Sequence, residues 1–147
     1  MNSENLNIMP RDYKFFEAAK KAAEESDFKT QVGAVAVYRR RVIASAASQN
    51  KTHSMQKTYN RFRNFNQIGL CMPKLHAEIS LLTKLKKMDV NMRDVSVYVY
   101  RICKGKAFGL ARPCEACAAA LRDAGVERVY YTTNFGVCLE VITKRIG

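Results

Sequence analysis

The sequence predicts an α/β fold, on three observations. Helix-like and strand-like segments alternate along the chain. One run, 95–102 (VSVYVYRI), is apolar almost throughout, as in a strand buried on both faces. The chain has 147 residues, 48 % hydrophobic and 26 % charged, the size and balance of one domain with one sizeable core. Residues 1–147 are therefore read as a single domain.

Each element has a local reason. Residues 12–26 (DYKFFEAAKKAAEES) combine good helix formers with an apolar face through Phe15, Ala18, Ala19 and Ala22, and Asp12 is placed to cap them after Pro10. Two short apolar runs follow, 31–38 (QVGAVAVY) and 42–47 (VIASAA), separated by Arg39, Arg40 and Arg41, which reads as an antiparallel hairpin. Residues 48–75 keep no single period, and a short helix is expected near 54–63. Residues 75–87 (LHAEISLLTKLKK) read as a helix with Leu75, Ile79, Leu82 and Leu85 on one side. After the 95–102 strand, Lys104-Gly105-Lys106 reads as a turn. Pro113 then starts a helix over 114–124 that Gly125 ends. Residues 126–132 (VERVYYT) read as a fourth strand. Asn134-Phe135-Gly136 turns the chain, and 137–146 reads as a fifth strand returning antiparallel, because Val137, Val141, Ile142 and Thr143 are β-branched.

Charge narrows the partners. Lys plus Arg is 25 and Asp plus Glu is 13, a formal net charge of +12, which favours polyanions or phosphorylated substrates. Residues 28–77 carry nine basic side chains (Lys29, Arg39, Arg40, Arg41, Lys51, Lys57, Arg61, Arg63 and Lys74) and no acidic one. No apolar run approaches the roughly 20 residues that span a bilayer, and the polar start of the chain lacks a signal-peptide pattern. The expectation is an intracellular, cytoplasmic protein without a membrane partner. The five cysteines, an odd number, argue against a disulfide framework.

Two short segments carry the chemistry. His76-Ala77-Glu78 opens one helix, and Pro113-Cys114-Glu115-Ala116-Cys117 opens the next. A histidine at a helix start, taken alone, is more often structural, and a lone C-x-x-C is metal, redox or packing. Together they supply one nitrogen and two thiolates, which leaves a fourth position for water, as in a catalytic zinc site. A structural zinc with a fourth ligand from Cys71, Cys103, Cys138 or His53 is the other metal reading, and no spacing favours it. Those three cysteines read as buried thiols. A thioredoxin-like oxidoreductase has no use for His76 or Glu78. Glu78 follows the histidine by two residues, where it can face the bound water and move protons.

The two segments form the H-x-E … P-C-x-x-C signature of zinc-dependent nucleobase deaminases. Over nearly its whole length the chain resembles the cytidine and deoxycytidylate deaminase superfamily. That resemblance implies a three-layer α/β/α sandwich with a five-stranded mixed sheet. It implies that His76, Cys114 and Cys117 bind Zn2+ and that Glu78 is the proton shuttle. Water would attack C4 of cytosine, or C6 of adenine, and ammonia would leave. It further implies a substrate contact at Asn50; Ala77, Arg112 and Tyr131 are the other candidate substrate contacts, and Lys51, Lys57, Arg61 and Arg63 of the basic stretch are candidate nucleic-acid or phosphate contacts.

Three substrate classes follow from the resemblance. The stretch KLHAEISLL is similar to deoxycytidylate deaminases, which act on a free nucleotide; the extra Cys/His ligands of a second zinc that many carry are missing. Arg128-Val129-Tyr130-Tyr131 resembles the Arg-x-Tyr-Tyr stretch of deaminases that act on single-stranded DNA or RNA, although their Ser-Trp-Ser before Pro-Cys is absent. The tRNA adenosine deaminases share His-Ala-Glu-Ile but usually place a helix between the last two strands. The basic, aromatic-interleaved 28–77 stretch, with Tyr59, Phe62 and Phe65, suits a single-stranded partner, and a solvated face is the plain alternative. The expectation is a deaminase of cytosine in a nucleotide or a single strand, with a homo-oligomer open. A noncatalytic, zinc-containing nucleic-acid-binding module is the alternative from another class, against which the intact Glu78 argues.

Overall fold

The computed structural model describes residues 10–28, 30–50, 54–59, 75–102, 109–133 and 137–141. In chain order they form α1 (Pro10–Glu24), β1 (Val32–Tyr38), β2 (Arg41–Ala47), α2 (Ser54–Tyr59), α3 (Ala77–Leu85), β3 (Val95–Arg101), α4 (Glu115–Ala124), β4 (Arg128–Thr132) and β5 (Val137–Val141). The strands make one mixed five-stranded sheet in the order β2-β1-β3-β4-β5. Only the β3–β4 pair is parallel; β1–β2, β1–β3 and β4–β5 are antiparallel. The turns expected at 104–106 and 134–136 lie outside the described residues, as do Cys71, Cys103 and His53.

Strand alternation sorts the core into two layers. Ala34, Ala36, Val97, Val99, Val129 and Tyr131 pack with Ile79, Leu82, Cys117 and Leu121 of α3 and α4. On the opposite face Val35, Val37, Tyr98 and Tyr100 pack with Phe15, Phe16 and Ala19 of α1. The sheet is thus covered on both sides, which explains why β3 is apolar at nearly every position. Helix α3 was expected to bury one row. Instead Ala77, Glu78, Ile79, Ser80, Leu81, Leu82 and Leu85 are all buried, because α3 is packed by β1 and β2 below and α4 beside it.

The aromatic contacts of α1 fix it on the sheet. The Tyr98 ring stacks on Tyr130 with centroids 4.4 Å apart, and Phe15 and Phe16 meet it at 5.1 and 5.2 Å. The Tyr98 hydroxyl donates to Asp12 Oδ1 at 2.9 Å. At the other end of α1 the helix backbone passes directly over Gly33. A Cβ there would collide with the Ala19 carbonyl oxygen and the Ala23 amide nitrogen. Gly125 ends α4 at φ +103°, and its own N–H and that of Val126 return to the Leu121 carbonyl at 3.2 and 3.0 Å.

The hairpin between β1 and β2 is unusual. Tyr38 pairs with Arg41, so only Arg39 and Arg40 form the loop. Both have positive φ, +51° and +65°, as a two-residue type I′ turn requires. Asn and Gly suit these positions; most other side chains cost about 1–2 kcal/mol at each.

Two stability outcomes follow from this packing. Gly33→Ala is expected to destabilise the chain by about 3 kcal/mol or more, because backbone and not a flexible side chain must move; chemical denaturation reads it. The double change R39N/R40G is expected to raise stability by about 1 kcal/mol, seen as a thermal midpoint several degrees higher.

Candidate active site

Both chemistry-bearing segments sit at helix starts. His76 is the N-cap of α3 and Cys114 the N-cap of α4, and neither side chain makes a capping hydrogen bond. Both are left free to point at each other. His76 Nδ1 lies 3.2 Å from Cys117 Sγ and 3.6 Å from Cys114 Sγ. The three donor atoms lie within 4.8 Å of one another, and among the described residues no other His, Cys, Asp or Glu joins the group.

This donor set fits zinc. Bond lengths of about 2.3 Å to sulfur and 2.0–2.1 Å to nitrogen give a tetrahedral N···S edge of roughly 3.6 Å, close to the two separations observed. The site is made for thiolate: hydrogen bonds from Cys117 and His76 hold the Cys114 thiol down to about 3 against the opposing effect of burial. Three protein donors leave one position open, as catalytic sites do.

Glu78 is the next group inward. It is 5 % exposed, and burial pushes its carboxyl above the usual carboxylate range, while His76 pulls it down and Cys114 pushes it up. Both His76 and Glu78 line a cavity of about 210 Å³ together with Thr30, Val32, Ser48, Arg101 and Arg112.

Hydrogen bonds hold these walls in place. The His76 N–H donates to Gln56 Oε1 of α2 at 2.9 Å, and Gln56 is 1 % exposed. Leu75, just before it, exchanges two 2.9 Å backbone bonds with Gln49. The Thr132 hydroxyl donates to the Gly109 carbonyl at 2.7 Å, and the Ala111 N–H donates to the Thr132 carbonyl at 2.8 Å, which fixes the segment leading to Cys114. The Ser48 hydroxyl donates to the Thr30 carbonyl at 2.8 Å and accepts from the Val32 N–H at 3.1 Å.

The expected site residues fall into three groups. Ala77 and Arg112 line the cavity with the metal donors and Glu78. Asn50 and Tyr131 do not. Asn50 is exposed past the end of β2, where its N–H donates to Asp27 Oδ1 at 2.9 Å. Tyr131 is 2 % exposed, because the register of β4 turns its ring into the α3–α4 layer, so it offers no face to a base. Tyr130 is stacked on Tyr98 on the other side of the sheet. Lys51, Arg61, Arg63 and the Lys57 side chain lie outside the described residues. Sequence reading missed Thr30, Ser48 and Arg101 as wall residues and Gln56 and Thr132 as supports. Arg101, a cation closing an apolar strand, carried the one legible signal.

Gln56→Leu is expected to leave the His76 N–H without its acceptor and to weaken zinc binding by roughly tenfold or more. Competition with a chromogenic chelator measures it.

Solved structures share this architecture. The dCMP deaminase of the cyanophage S-TIM5, in apo form, superposes with a TM-score of 0.59 at 21 % identity, covering 86 % of this chain and 86 % of that one. The same enzyme in complex with dCMP and dUMP gives 0.58 at 20 % identity, covering 86 % and 85 %. Cytidine deaminase from Burkholderia pseudomallei gives 0.59 at 17 % identity, covering 88 % and 91 %. No curated protein matches the chain significantly. No helix among the described residues is long and apolar enough to cross a membrane. The family described as "Cytidine and deoxycytidylate deaminase zinc-binding region" matches residues 9–133, a span that includes every metal donor and Glu78. With that match and this donor set, the chain belongs to the cytidine and deoxycytidylate deaminase family: it is a zinc-dependent deaminase, a hydrolase acting on cyclic amidines.

Proposed function

We propose that the chain hydrolyses cytosine to uracil in a phosphate-bearing substrate, a nucleotide or a single strand. The observation that carries this reading is Glu78. A structural zinc site has no use for a carboxylate, and burying one is costly; here it is buried beside three metal donors, on the wall of an open cavity. A zinc ion held by His76, Cys114 and Cys117 would supply a Lewis acid and a water of lowered pKa.

The chain's own residues do the rest. Glu78 takes one proton from the attacking water and gives it to ring N3, then carries a second, from the new C4 hydroxyl, to the departing amino group, so that cytosine and water become uracil and ammonia. At about 210 Å³ the cavity is smaller than most ligand pockets and suits a single base. Its walls at Thr30, Val32 and Ser48 keep the ring against the donors, and the Ser48 hydroxyl is already committed to the Thr30 carbonyl. Arg101 and Arg112 give the cavity two cations for a phosphate. The S-TIM5 dCMP deaminase, solved in complex with dCMP and dUMP, is an example of an enzyme with such a substrate. Four residues separate Thr132 at the end of β4 from Val137 at the start of β5. That leaves no room for the helix usual there in tRNA adenosine deaminases, and favours cytosine.

The test is ammonia release with mass detection of the base change. The panel is cytidine, dCMP, CMP, and single-stranded DNA and RNA containing C or A. Turnover is expected on cytosine substrates that carry phosphate. Glu78→Gln should keep one zinc and lose roughly 10²–10⁴-fold in turnover. A Glu78→Gln protein as active as the parent, or turnover of adenine alone, would sink the reading.

A further inference from the structure

We infer that the tip of the β1–β2 hairpin is a docking point for the phosphate backbone of a single-stranded nucleic acid, separate from the cavity. This deepens the reading above, on which it rests only for the choice of substrate, by making the strand the carrier of the base.

Three observations carry it. First, Arg39, Arg40 and Arg41 are consecutive, all exposed, and none makes an ion pair among the described residues. Second, two of them occupy positive-φ positions that Asn and Gly would fill at lower cost. The turn itself does not need arginine; a charged partner does. Third, the Arg39 guanidinium lies 5.1 Å from the centre of the Tyr38 ring, so one cation is held in place before any partner arrives.

The position suits a second anchor. Val32 and Arg101, paired in register, line the cavity, whereas Tyr38 pairs with Val95 at the other end of the same two strands. The seven residues of β1 span about 20 Å. A mononucleotide cannot reach both places, and a strand can. Among the described residues, Asp94 and Glu127 lie at this end of the sheet; Glu127 is 3.7 Å from Arg93, which offsets it.

Binding of a labelled oligothymidylate to the full chain tests the inference by fluorescence anisotropy. This probe contains no cytosine, so the result does not depend on turnover. The triple variant R39N/R40G/R41Q is expected to bind at least tenfold more weakly near 0.1 M salt. Its plot of log affinity against log salt should be shallower by about 2, as for three lost phosphate contacts at roughly 0.7 each. R39N/R40G alone should lose affinity while melting no lower than the parent, which separates lost contact from lost fold. K20Q/K21Q, which removes two exposed charges from α1, should change the slope less. An unchanged slope in the triple variant, or an equal loss in K20Q/K21Q, overturns the inference. So does a fall in dCMP turnover parallel to the loss of strand binding, which would place the effect in the cavity. If cytosine turnover is absent from every panel substrate, the function reading fails while the anisotropy result still decides this one.

Discussion

Strand β3 lies at the centre of the sheet, antiparallel to β1 and parallel to β4. A parallel pair needs a crossover, and here α4 is that crossover. Because α4 leaves the end of β3 and returns to the start of β4, its N-terminus must stand at the carboxyl end of the pair. Helix α3 enters β3 from the opposite end, so its N-terminus stands at that same carboxyl end. The two helix starts therefore meet, and the residues at their caps become neighbours although 38 positions separate His76 from Cys114. The metal site, the buried carboxylate and the cavity all depend on this one parallel pairing.

That arrangement uses the cap positions for chemistry. Ser, Thr, Asp and Asn are the usual N-caps, because an oxygen can accept from the first free N–H groups. His76 and Cys114 make no such bond. What remains at each start is the positive end of the helix dipole, which favours a thiolate. The same thrift leaves His76 dependent on outside support, and Gln56 and the Gln49–Leu75 bridge supply it. Thr132 does the equivalent for the segment before Cys114. The donor atoms are thus held from outside the two helices as well as by them, which keeps them close before any metal binds.

The same sheet separates two kinds of surface. At the carboxyl ends of β3 and β4 the chain builds a small open cavity with two arginines in its wall. At the other end of β1 it builds a tight turn out of arginine, against the local preference for Asn-Gly. Between them lies a core whose alternation leaves little freedom: Gly33 cannot carry a Cβ under α1, and Tyr98 is both stacked and hydrogen-bonded.

Much of this was legible in the sequence wherever the cause is local. The apolar run of β3, the β-branched residues of β5, the Gly125 stop and the start of α4 after Pro113 each follow from a few neighbouring residues. So do the metal donors and Glu78, because the two short segments name the chemistry before any geometry is known. Tertiary structure decided the rest. Register turned Tyr131 into the core and Tyr130 onto Tyr98, and it left Asn50 off the cavity wall. Strand pairing brought Arg101 to the wall and Thr132 to Gly109, across 23 positions. Periodicity reports which side of an element is buried. It carries no information on which distant element does the burying, and that is what selects a wall residue from an ordinary one.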